Sequence, residues 1–470
     1  MSIRKAIART CTYLGLLSVA AAPAVAQHVF QALSGARMVY TDMDRDGLPD
    51  RIDSCPQLPY VTEFNLSLCG PMDLNPDNDA LPECRARERV ARVLFTGGVL
   101  TTRIAFAVVL DGQAYFADAF EYLGSGQFRH DPAGVWRLYR VGSTSKSIAA
   151  VAAKVMEERG ELSLSDFVND DDATQMLVGG QRTLRNLLAH HGAFRVDNGA
   201  IHLFCYDGNL DAFWRDPDDL VSPHYDSPPY GNLGGGYQYS AFNYSLAGAY
   251  LAQRAAEPYA RLLQTRVFDA AGMCTASFDG ARAVRTTIGD GWGVSQAPVM
   301  HVGPYINLVS PADARCVDNF YSSDDLYGDP YTWQLYRLDE AAAEARDPAG
   351  GVIASVLDLA HFAAALLASY HEPNGLVSQP GIRDLWGATS DLGCGANCPY
   401  ERYYGLGFFT DSLPGQAVHQ VGHGGSRPGY ASAFVLRPES NTAVCVLANA
   451  DVSTATLSNL AKQILDDFEP

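Results

Sequence analysis

The sequence predicts an α/β fold in which strands near both ends of the chain form one sheet, with a mostly helical lobe inserted between them. Apolar strand patterns joined or followed by turn residues predict strands at 103–110, 114–119, 405–410, 430–436 and 442–447. The middle of the chain carries helical patterns, and 454–468 is an amphipathic pattern that predicts a terminal helix. Strands at both ends with helices between them imply that the two ends of the domain meet in one sheet.

The chain is long and acidic. Its 470 residues, 47% of them hydrophobic, can bury a sizeable core, and the formal net charge is −19. An acidic surface repels phosphate backbones, so we expect no nucleic-acid partner. Beyond the N-terminus no stretch approaches the ~18–20 consecutive apolar residues of a membrane span, so none is expected.

Residues 1–26 have the pattern of a secretory signal peptide. Three basic residues precede an apolar run that is too short to span a bilayer, and Ala24-Val25-Ala26 provides a small-x-small cleavage site. The alternative is a buried N-terminal helix. The pattern favours an exported product, either periplasmic or secreted.

The cysteines fit an exported protein. Ten are present, and one of them, Cys11, lies in the signal segment. An exported chain with this many cysteines is expected to form disulfides, although the sequence does not give their pairing. An odd number remains after cleavage. Cys445 is expected to be the free thiol because it lies in a predicted buried strand.

The first chemical motif is Ser143-Thr144-Ser145-Lys146, at the start of a helix predicted to end at Gly160. A lysine three residues after a serine lies one turn along the same helix face. If it is buried there, its neutral amine is favoured and can assist removal of the serine proton. Alone, the motif is weak, but the chain has only four lysines.

Two later motifs complete the set. Tyr239-Ser240-Ala241 precedes a predicted helix, so its phenol could act as a general base, or it could be a packed aromatic side chain. The second is His423-Gly424-Gly425-Ser426, which leads into a strand. Paired glycines let the backbone approach a ligand, and an N–H group there could stabilise an oxyanion. The alternative is a glycine-rich turn with a surface histidine.

Together, and in this order, the three motifs resemble the serine β-lactamase/penicillin-binding-protein superfamily. The resemblance covers about residues 90–468 and is closest to the class C-like branch, with the related family VIII carboxylesterases and D-amino-acid peptidases. It implies a β-lactamase/transpeptidase-like fold: an antiparallel sheet flanked by helices, with an inserted mostly helical lobe. The corresponding division of the chain is a signal peptide (1–26), an Asp/Cys-rich segment (27–88) and a serine hydrolase domain (89–470).

The resemblance also implies roles for individual residues. Ser143 would be the acylated nucleophile, Lys146 its proton partner and Tyr239 the base. His423 stands where many β-lactamases have the lysine of a Lys-Thr-Gly motif. The oxyanion and substrate-binding positions would be Ser143, Gly424, Gly425 and Ser426, with the backbone N–H groups of the two serines as the oxyanion donors.

The sequence departs from this family pattern at two positions. The asparagine of the family's Tyr-x-Asn is replaced by Ala241, and the spacing of Asn243 fits helix packing better than a substitute role. At His423 a fixed positive charge is lost. Both departures favour a neutral ester or amide as the small-molecule substrate.

Other functions remain open at this point. One is a DD-peptidase or class C-like β-lactamase, and another is a non-catalytic binding protein on the same fold. No Gly-x-Ser-x-Gly motif is present, which argues against an α/β-hydrolase. His419 and His423 lack the glutamate of a zinc-protease helix, and His190 and His191 are expected to be structural.

An acidic loop at 42–53 places oxygen ligands at the spacing of a calcium-binding loop, with Gly47 where the chain must turn. The ligands would be the Leu48 carbonyl and five carboxylates, those of Asp42, Asp44, Asp46, Asp50 and Asp53. With Ser54-Cys55-Pro56 following, the loop resembles a thrombospondin type 3 calcium repeat. We expect a structural Ca²⁺ here, against the alternative of a solvated acidic loop, and no cofactor for catalysis.

Overall fold

The computed structural model describes residues 26–31, 37–42, 81–96, 102–124, 127–168, 182–193, 236–278, 347–393, 400–412, 418–427, 430–449 and 452–469. The chain divides into two units, residues 1–60 and 61–470. In the first unit, strands β1 (Ala26–Gln31) and β2 (Arg37–Asp42) form an antiparallel pair.

The second unit is built on a nine-stranded antiparallel sheet among the described residues. Its strands are β3 (Thr102–Leu110), β4 (Gln113–Gly124), β5 (Gln127–His130), β9 (Ser390–Asp391), β10 (Glu401–Tyr404), β11 (Phe409–Ser412), β12 (Val418–Arg427), β13 (Tyr430–Arg437) and β14 (Thr442–Ala448). Their spatial order is β5-β4-β3-β14-β13-β12-β11-β10-β9. Strand β14 pairs with β3, with Cys445 opposite Ala107, so the two ends of the domain meet in one sheet as predicted.

A smaller antiparallel sheet lies beside the segment that precedes α2, where the Val141 N–H donates to the Val352 carbonyl at 3.0 Å. It has the order β6-β8-β7 and consists of β6 (Tyr139–Arg140), β7 (Ser277–Phe278) and β8 (Val352–Ala354).

The described helices are α1 (Pro82–Thr96), α2 (Thr144–Glu158), α3 (Leu184–Leu188), α4 (Ala241–Ala255), α5 (Tyr259–Leu263), α6 (Asp269–Ala271), α7 (Val356–His371), α8 (Gln379–Trp386) and α9 (Thr454–Phe468). Side-chain oxygens begin several of them. Ser355 and Asp358 form a capping box at α7, and Ser453 accepts a hydrogen bond from the Thr456 amide at α9.

Helices cover both faces of the large sheet. On β13, the ring of Phe434 packs against Phe362 of α7, with 6.1 Å between centroids. Arg437, three residues further along β13, forms ion pairs with Asp466 and Glu469 at the end of α9. Because successive strand residues point to opposite faces, α7 and α9 lie on opposite sides of the sheet.

Several predicted elements are found with small changes in their ends. The turn between β3 and β4 has positive φ at Asp111 (50°) and Gly112 (71°), as a tight hairpin requires. The terminal helix spans 454–468 as predicted. The strand predicted at 405–410 begins only at Phe409, and the glycine motif at His423 belongs to β12 itself.

Helix α1 spans the predicted domain boundary at 88/89. It packs against α9 and against β4 of the large sheet, so this helix is part of the second unit. In the described residues no helix is long and apolar enough to cross a membrane.

Candidate active site

Helix α2 presents Ser143 and Lys146 to each other. Ser143 occupies the position before the first helical residue and makes no capping hydrogen bond with its own side chain. Lys146 is only 1% exposed, and its Nζ donates to Ser143 Oγ at 3.0 Å and to the Ala349 carbonyl at 2.7 Å. Ser143 is only partly buried. A buried lysine amine contacts its oxygen from one helical turn away.

Neighbouring hydroxyl groups fix the first turn of α2. Thr144 Oγ1 lies 2.9 Å from Ser432 Oγ on β13, and Ser432 Oγ donates to the Val141 carbonyl at 2.6 Å. Ser147 Oγ donates to the Gly407 carbonyl at 2.6 Å. These bonds hold the nucleophile segment against the sheet.

Strand β12 passes so close to Ser143 that only glycine fits. A Cβ atom on Gly425 would lie 1.9 Å from the Val141 carbonyl oxygen and 2.9 Å from the Ser143 nitrogen. Gly142 has φ of 53°, and a Cβ atom there would lie 2.8 Å from the Ser426 nitrogen. The backbone nitrogens of Ser143 and Ser426 thus belong to two segments in direct contact.

Gly424 has a different neighbourhood. A Cβ atom on it would lie 2.9 Å from Cβ of Thr454, at the start of α9. Since Gly424 and Gly425 alternate along β12, Gly425 faces Ser143 and Gly424 faces the terminal helix.

The second and third motifs meet the first. Lys146 Nζ lies 5.0 Å from the ring centroid of Tyr239, which precedes α4. The Tyr239 and His423 rings are 6.4 Å apart. The structure thus brings Ser143, Lys146, Tyr239 and His423 into one cluster.

His423 is buried and its ring nitrogens are both in use. It is 3% exposed, with Nδ1 2.6 Å from the Gly424 carbonyl and Nε2 3.3 Å from the Tyr404 hydroxyl. A carbonyl only accepts, so Nδ1 carries the proton and Nε2 accepts from Tyr404. Burial, followed by the charge of Lys146, lowers the pKa of His423 to about 3. The ring is neutral at physiological pH.

His190 also lies in this cluster, although it was expected to be structural. It is fully buried, and its ring centroid is 4.2 Å from that of Tyr239, 5.2 Å from that of Tyr244 and 5.0 Å from that of Tyr404. Burial, followed by the charge of Lys146, lowers its pKa well below the usual value. The available sequence signal was only a pair of histidines after a short apolar helix.

Comparison with known proteins identifies the family. A model of the beta-lactamase family matches residues 100–467. The chain belongs to the beta-lactamase family.

Individual relatives are distant. PbpX of Bacillus subtilis (strain 168), named for the penicillin-binding proteins, is 26% identical over 212 residues, or 44% of this chain and 47% of PbpX. The chain therefore spans about half the length of that curated relative.

Solved structures of similar fold include the following three. The octameric penicillin-binding protein homologue from Pyrococcus abyssi has a TM-score of 0.58 at 17% identity, over 81% of this chain and 77% of that one. D-alanine carboxypeptidase AmpC from Burkholderia cenocepacia has a TM-score of 0.55 at 19% sequence identity, over 81% of this chain and 97% of that one. A D-stereospecific amidohydrolase from Streptomyces sp. has a TM-score of 0.53 at 17% sequence identity, over 79% of this chain and 97% of that one. The predicted β-lactamase/transpeptidase-like fold is confirmed.

Ala241 is the first residue of α4. It has no side-chain amide that could hold an acylamino group. Asn243 does not replace it in the cleft. Asn243 is fully buried, with Nδ2 3.2 Å from His190 Nδ1 and 3.4 Å from the Ser240 carbonyl. It makes these contacts inside the fold.

The predicted calcium ligands lie mostly outside the described residues. Asp42 ends strand β2. Asp44, Asp46, Leu48, Asp50 and Asp53 are not among the residues that the structure describes. Within the described ranges no group of three or more His, Cys, Asp or Glu side chains could hold a metal ion.

Proposed function

We propose that this protein is an exported serine hydrolase that acts through an acyl-enzyme at Ser143, on a small carboxylic ester or a related amide. The observation that carries the proposal is the 3.0 Å contact between Ser143 Oγ and the buried Lys146 Nζ. Attack by a serine needs its oxygen to lie beside groups that can move its proton, and Lys146 Nζ lies within hydrogen-bond distance of Ser143 Oγ.

The reaction proceeds by acyl transfer in two steps. Ser143 Oγ attacks the substrate carbonyl carbon while its proton passes to the Tyr239/Lys146 pair. The oxyanion accepts hydrogen bonds from the backbone N–H groups of Ser143 and Ser426. The bond to the leaving group then breaks, and the departing alcohol or amine takes the proton. Water attacks the acyl-enzyme in the second step, which releases the acid and restores Ser143.

The surroundings of His423 and Ala241 support a neutral substrate. His423 is uncharged and uses both ring nitrogens within the protein, so it offers no cation to a substrate carboxylate. Ala241 offers no amide to an acylamino side chain. Each missing contact would weaken transition-state binding by roughly 1–3 kcal/mol, or about fivefold to 160-fold in kcat/KM. Small esters need neither contact.

The test compares short acyl p-nitrophenyl esters with a chromogenic cephalosporin, using the full chain and its Ser143→Ala variant. We expect clear ester hydrolysis that Ser143→Ala abolishes, and little turnover of the cephalosporin. Mass spectrometry of the quenched ester reaction should show the acyl group on the peptide that contains Ser143. Efficient cephalosporin hydrolysis with negligible ester hydrolysis would overturn the proposed substrate class.

A second candidate is a D-amino-acid amide or peptide. It is favoured by the fold shared with the D-stereospecific amidohydrolase and the D-alanine carboxypeptidase. The same assay separates it when D- and L-alanine p-nitroanilides are included. Hydrolysis of the D-form at a kcat/KM above that of the esters would favour this candidate, and no preference between the two forms would exclude it.

We further propose that residues 42–53 hold a structural Ca²⁺, supported by the spacing of their oxygen ligands. Chelation should then lower the Tm by mass action, and Ca²⁺ but not Mg²⁺ should restore it, while kcat at low temperature hardly changes. An unchanged melting curve in chelator, together with no calcium on the purified protein, would reduce the motif to an acidic loop.

A further inference from the structure

His190 is bonded to the backbone on both sides of Tyr239. The Gln238 N–H donates to the His190 carbonyl at 2.9 Å, and the Ser240 N–H donates to His190 Nδ1 at 3.2 Å. Since Tyr239 lies between these two residues, one histidine fixes the backbone that precedes it and the backbone that follows it.

The His190 ring also contacts the Tyr239 ring itself. Their centroids are 4.2 Å apart with 39° between the planes, the closest of the ring contacts that His190 makes within the described residues. His190 is fully buried, so water does not compete for this position. Two hydrogen bonds therefore hold the backbone of Tyr239 in position, and the ring contact restricts the orientation of its side chain.

The protein tolerates unfavourable features to keep this residue. His190 has φ of 59°, a left-handed conformation that is uncommon outside glycine. Because Nδ1 accepts the Ser240 N–H, the neutral ring carries its proton on Nε2, and Nε2 is buried with no hydrogen-bond partner among the described atoms. Buried donors without partners are rare in folded proteins, and strained conformations persist where the surrounding structure requires them.

We propose that His190 is a positioning residue that holds Tyr239 in place to receive the Ser143 proton. This inference rests on the proposed function, in which Tyr239 acts as the base. His190 acts through Tyr239 and makes no contact with substrate. Lys146 Nζ lies 5.0 Å from the centroid of the same Tyr239 ring.

Two variants separate the contributions of the ring and of the Nδ1 acceptor. Asparagine adopts positive φ readily, and its side-chain oxygen can accept the Ser240 N–H in place of Nδ1. His190→Asn should lower kcat for the preferred ester about tenfold, and His190→Ala about a hundredfold, because small displacements of a catalytic group cost rates of this order. KM should change less than about threefold, since His190 does not bind substrate.

The deciding measurement is a double-mutant cycle with Tyr239→Phe. If His190 acts only through Tyr239, then His190→Asn costs its full factor in the wild type and close to nothing in the Tyr239→Phe background. A purely structural role predicts the same loss of kcat in both backgrounds. That result would overturn the proposal.

His191→Asn is the matched control, because His191 is the adjacent histidine and bonds Ser390 instead of the Tyr239 segment. It should retain wild-type kcat. Melting curves identify folded variants, and His190→Asn carries the test if His190→Ala does not fold. Full kcat in folded His190→Asn and His190→Ala would overturn the positioning role. Full kcat in Tyr239→Phe alone would instead overturn the assignment of the base in the proposed function.

Discussion

Two buried lysines on helix α2 have opposite surroundings. Lys146 Nζ contacts a hydroxyl and a carbonyl oxygen among its described partners. Lys154, two turns further along, forms ion pairs with Glu157 and Asp384. Lys154 thus belongs to ion pairs of the fold, whereas Lys146 touches the Ser143 oxygen and is placed to take part in proton transfer there.

The two lysines should therefore respond differently to the same substitution. Lys146→Met should lower kcat/KM for the preferred ester by about a hundredfold to ten-thousandfold, as expected for loss of a proton-transfer group. Lys154→Met should leave kcat/KM within about twofold and lower the free energy of unfolding by roughly 1–3 kcal/mol, because it removes the lysine from Glu157 and one of the two basic partners of Asp384. Ester kinetics and urea denaturation of both variants check this, and equal kinetic losses would contradict it.

Burial of His423 makes the stability of the fold sensitive to acid. Its pKa is about 3 in the folded protein, and a histidine in an unfolded chain has a pKa of about 6.5. Between about pH 6.5 and pH 3, this histidine is therefore protonated in the unfolded chain but neutral in the folded protein. The free energy of unfolding is therefore unaffected by this residue above about pH 6.5. It falls as the pH drops towards 3, by up to about 1.4 kcal/mol per pH unit from His423.

Urea denaturation between pH 7.5 and pH 4 tests this expectation. The free energy of unfolding should fall with pH less steeply in His423→Asn than in the wild type, because the variant has no proton to bind at this position. Carboxylates contribute equally to both proteins, so the difference between the two slopes is the informative quantity. Identical slopes would show that His423 is not held neutral.

At the scale of elements, Gly425 of β12 is required by the close passage of that strand along the start of α2. Gly425→Ala would place a Cβ atom 1.9 Å from a backbone oxygen, and a backbone oxygen cannot rotate away as a side chain can. We expect the strand to shift and the Ser143 and Ser426 nitrogens to separate, with kcat reduced by about a hundredfold or more, as for loss of an oxyanion donor.

The control for this variant is Gly112→Ala, in the β3–β4 turn of the same sheet. Its φ of 71° strains an alanine, so the substitution should lower the free energy of unfolding by roughly 1 kcal/mol while kcat stays unchanged. A Gly425→Ala protein with wild-type kcat would show that the nucleophile does not depend on this approach.

Elements with a strong local signal were predictable from sequence. The β3–β4 hairpin follows from its Asp111-Gly112 turn, and helix α9 from its apolar face. Strand β12 was harder, because its glycines indicate a turn locally, and Gly425 is explained only by its approach to Val141 and Ser143, almost 300 residues earlier in the chain.

The candidate site divides in the same way. Ser143 and Lys146 are one helical turn apart, so their spacing in the sequence predicted that the two side chains would meet. The role of His190 depends on hydrogen bonds to a segment 50 residues away and on a positive φ at a residue that is not glycine. Local patterns contain neither property, so sequence reasoning alone classed His190 as structural.

At the scale of the whole second unit, helices from opposite ends of the chain are joined by ion pairs. Asp467, near the end of α9, bonds Arg85 and Arg89 on α1 with three contacts between 2.5 and 3.1 Å. Both helices also pack on the sheet whose strands come from the same two regions of the chain. Helix α1 therefore closes the unit at its N-terminal side, which explains why it does not separate with the first 60 residues.

This junction can be tested with two adjacent aspartates that differ in burial. The Asp467 side chain is 6% exposed and serves two arginines, whereas the Asp466 side chain is 64% exposed and pairs with Arg437 at the surface. Asp467→Asn should lower the free energy of unfolding by roughly 1–3 kcal/mol, since it removes the charge that partly buried arginines require. Asp466→Asn should cost less than about 1 kcal/mol, as exposed ion pairs do.

Because the junction is built from α1, α9 and no residue of the Ser143 cluster, kcat and KM at low temperature should match the wild type in both variants. Urea denaturation followed by tryptophan fluorescence gives the free energies, and ester kinetics give the second readout. If Asp467→Asn were no less stable than Asp466→Asn, the ion pairs between α1 and α9 would contribute nothing, and apolar packing alone would hold α1 to the unit. A loss of kcat in Asp467→Asn would instead show that displacement of the two terminal helices reaches β12, because α9 also meets that strand at Gly424 through Thr454.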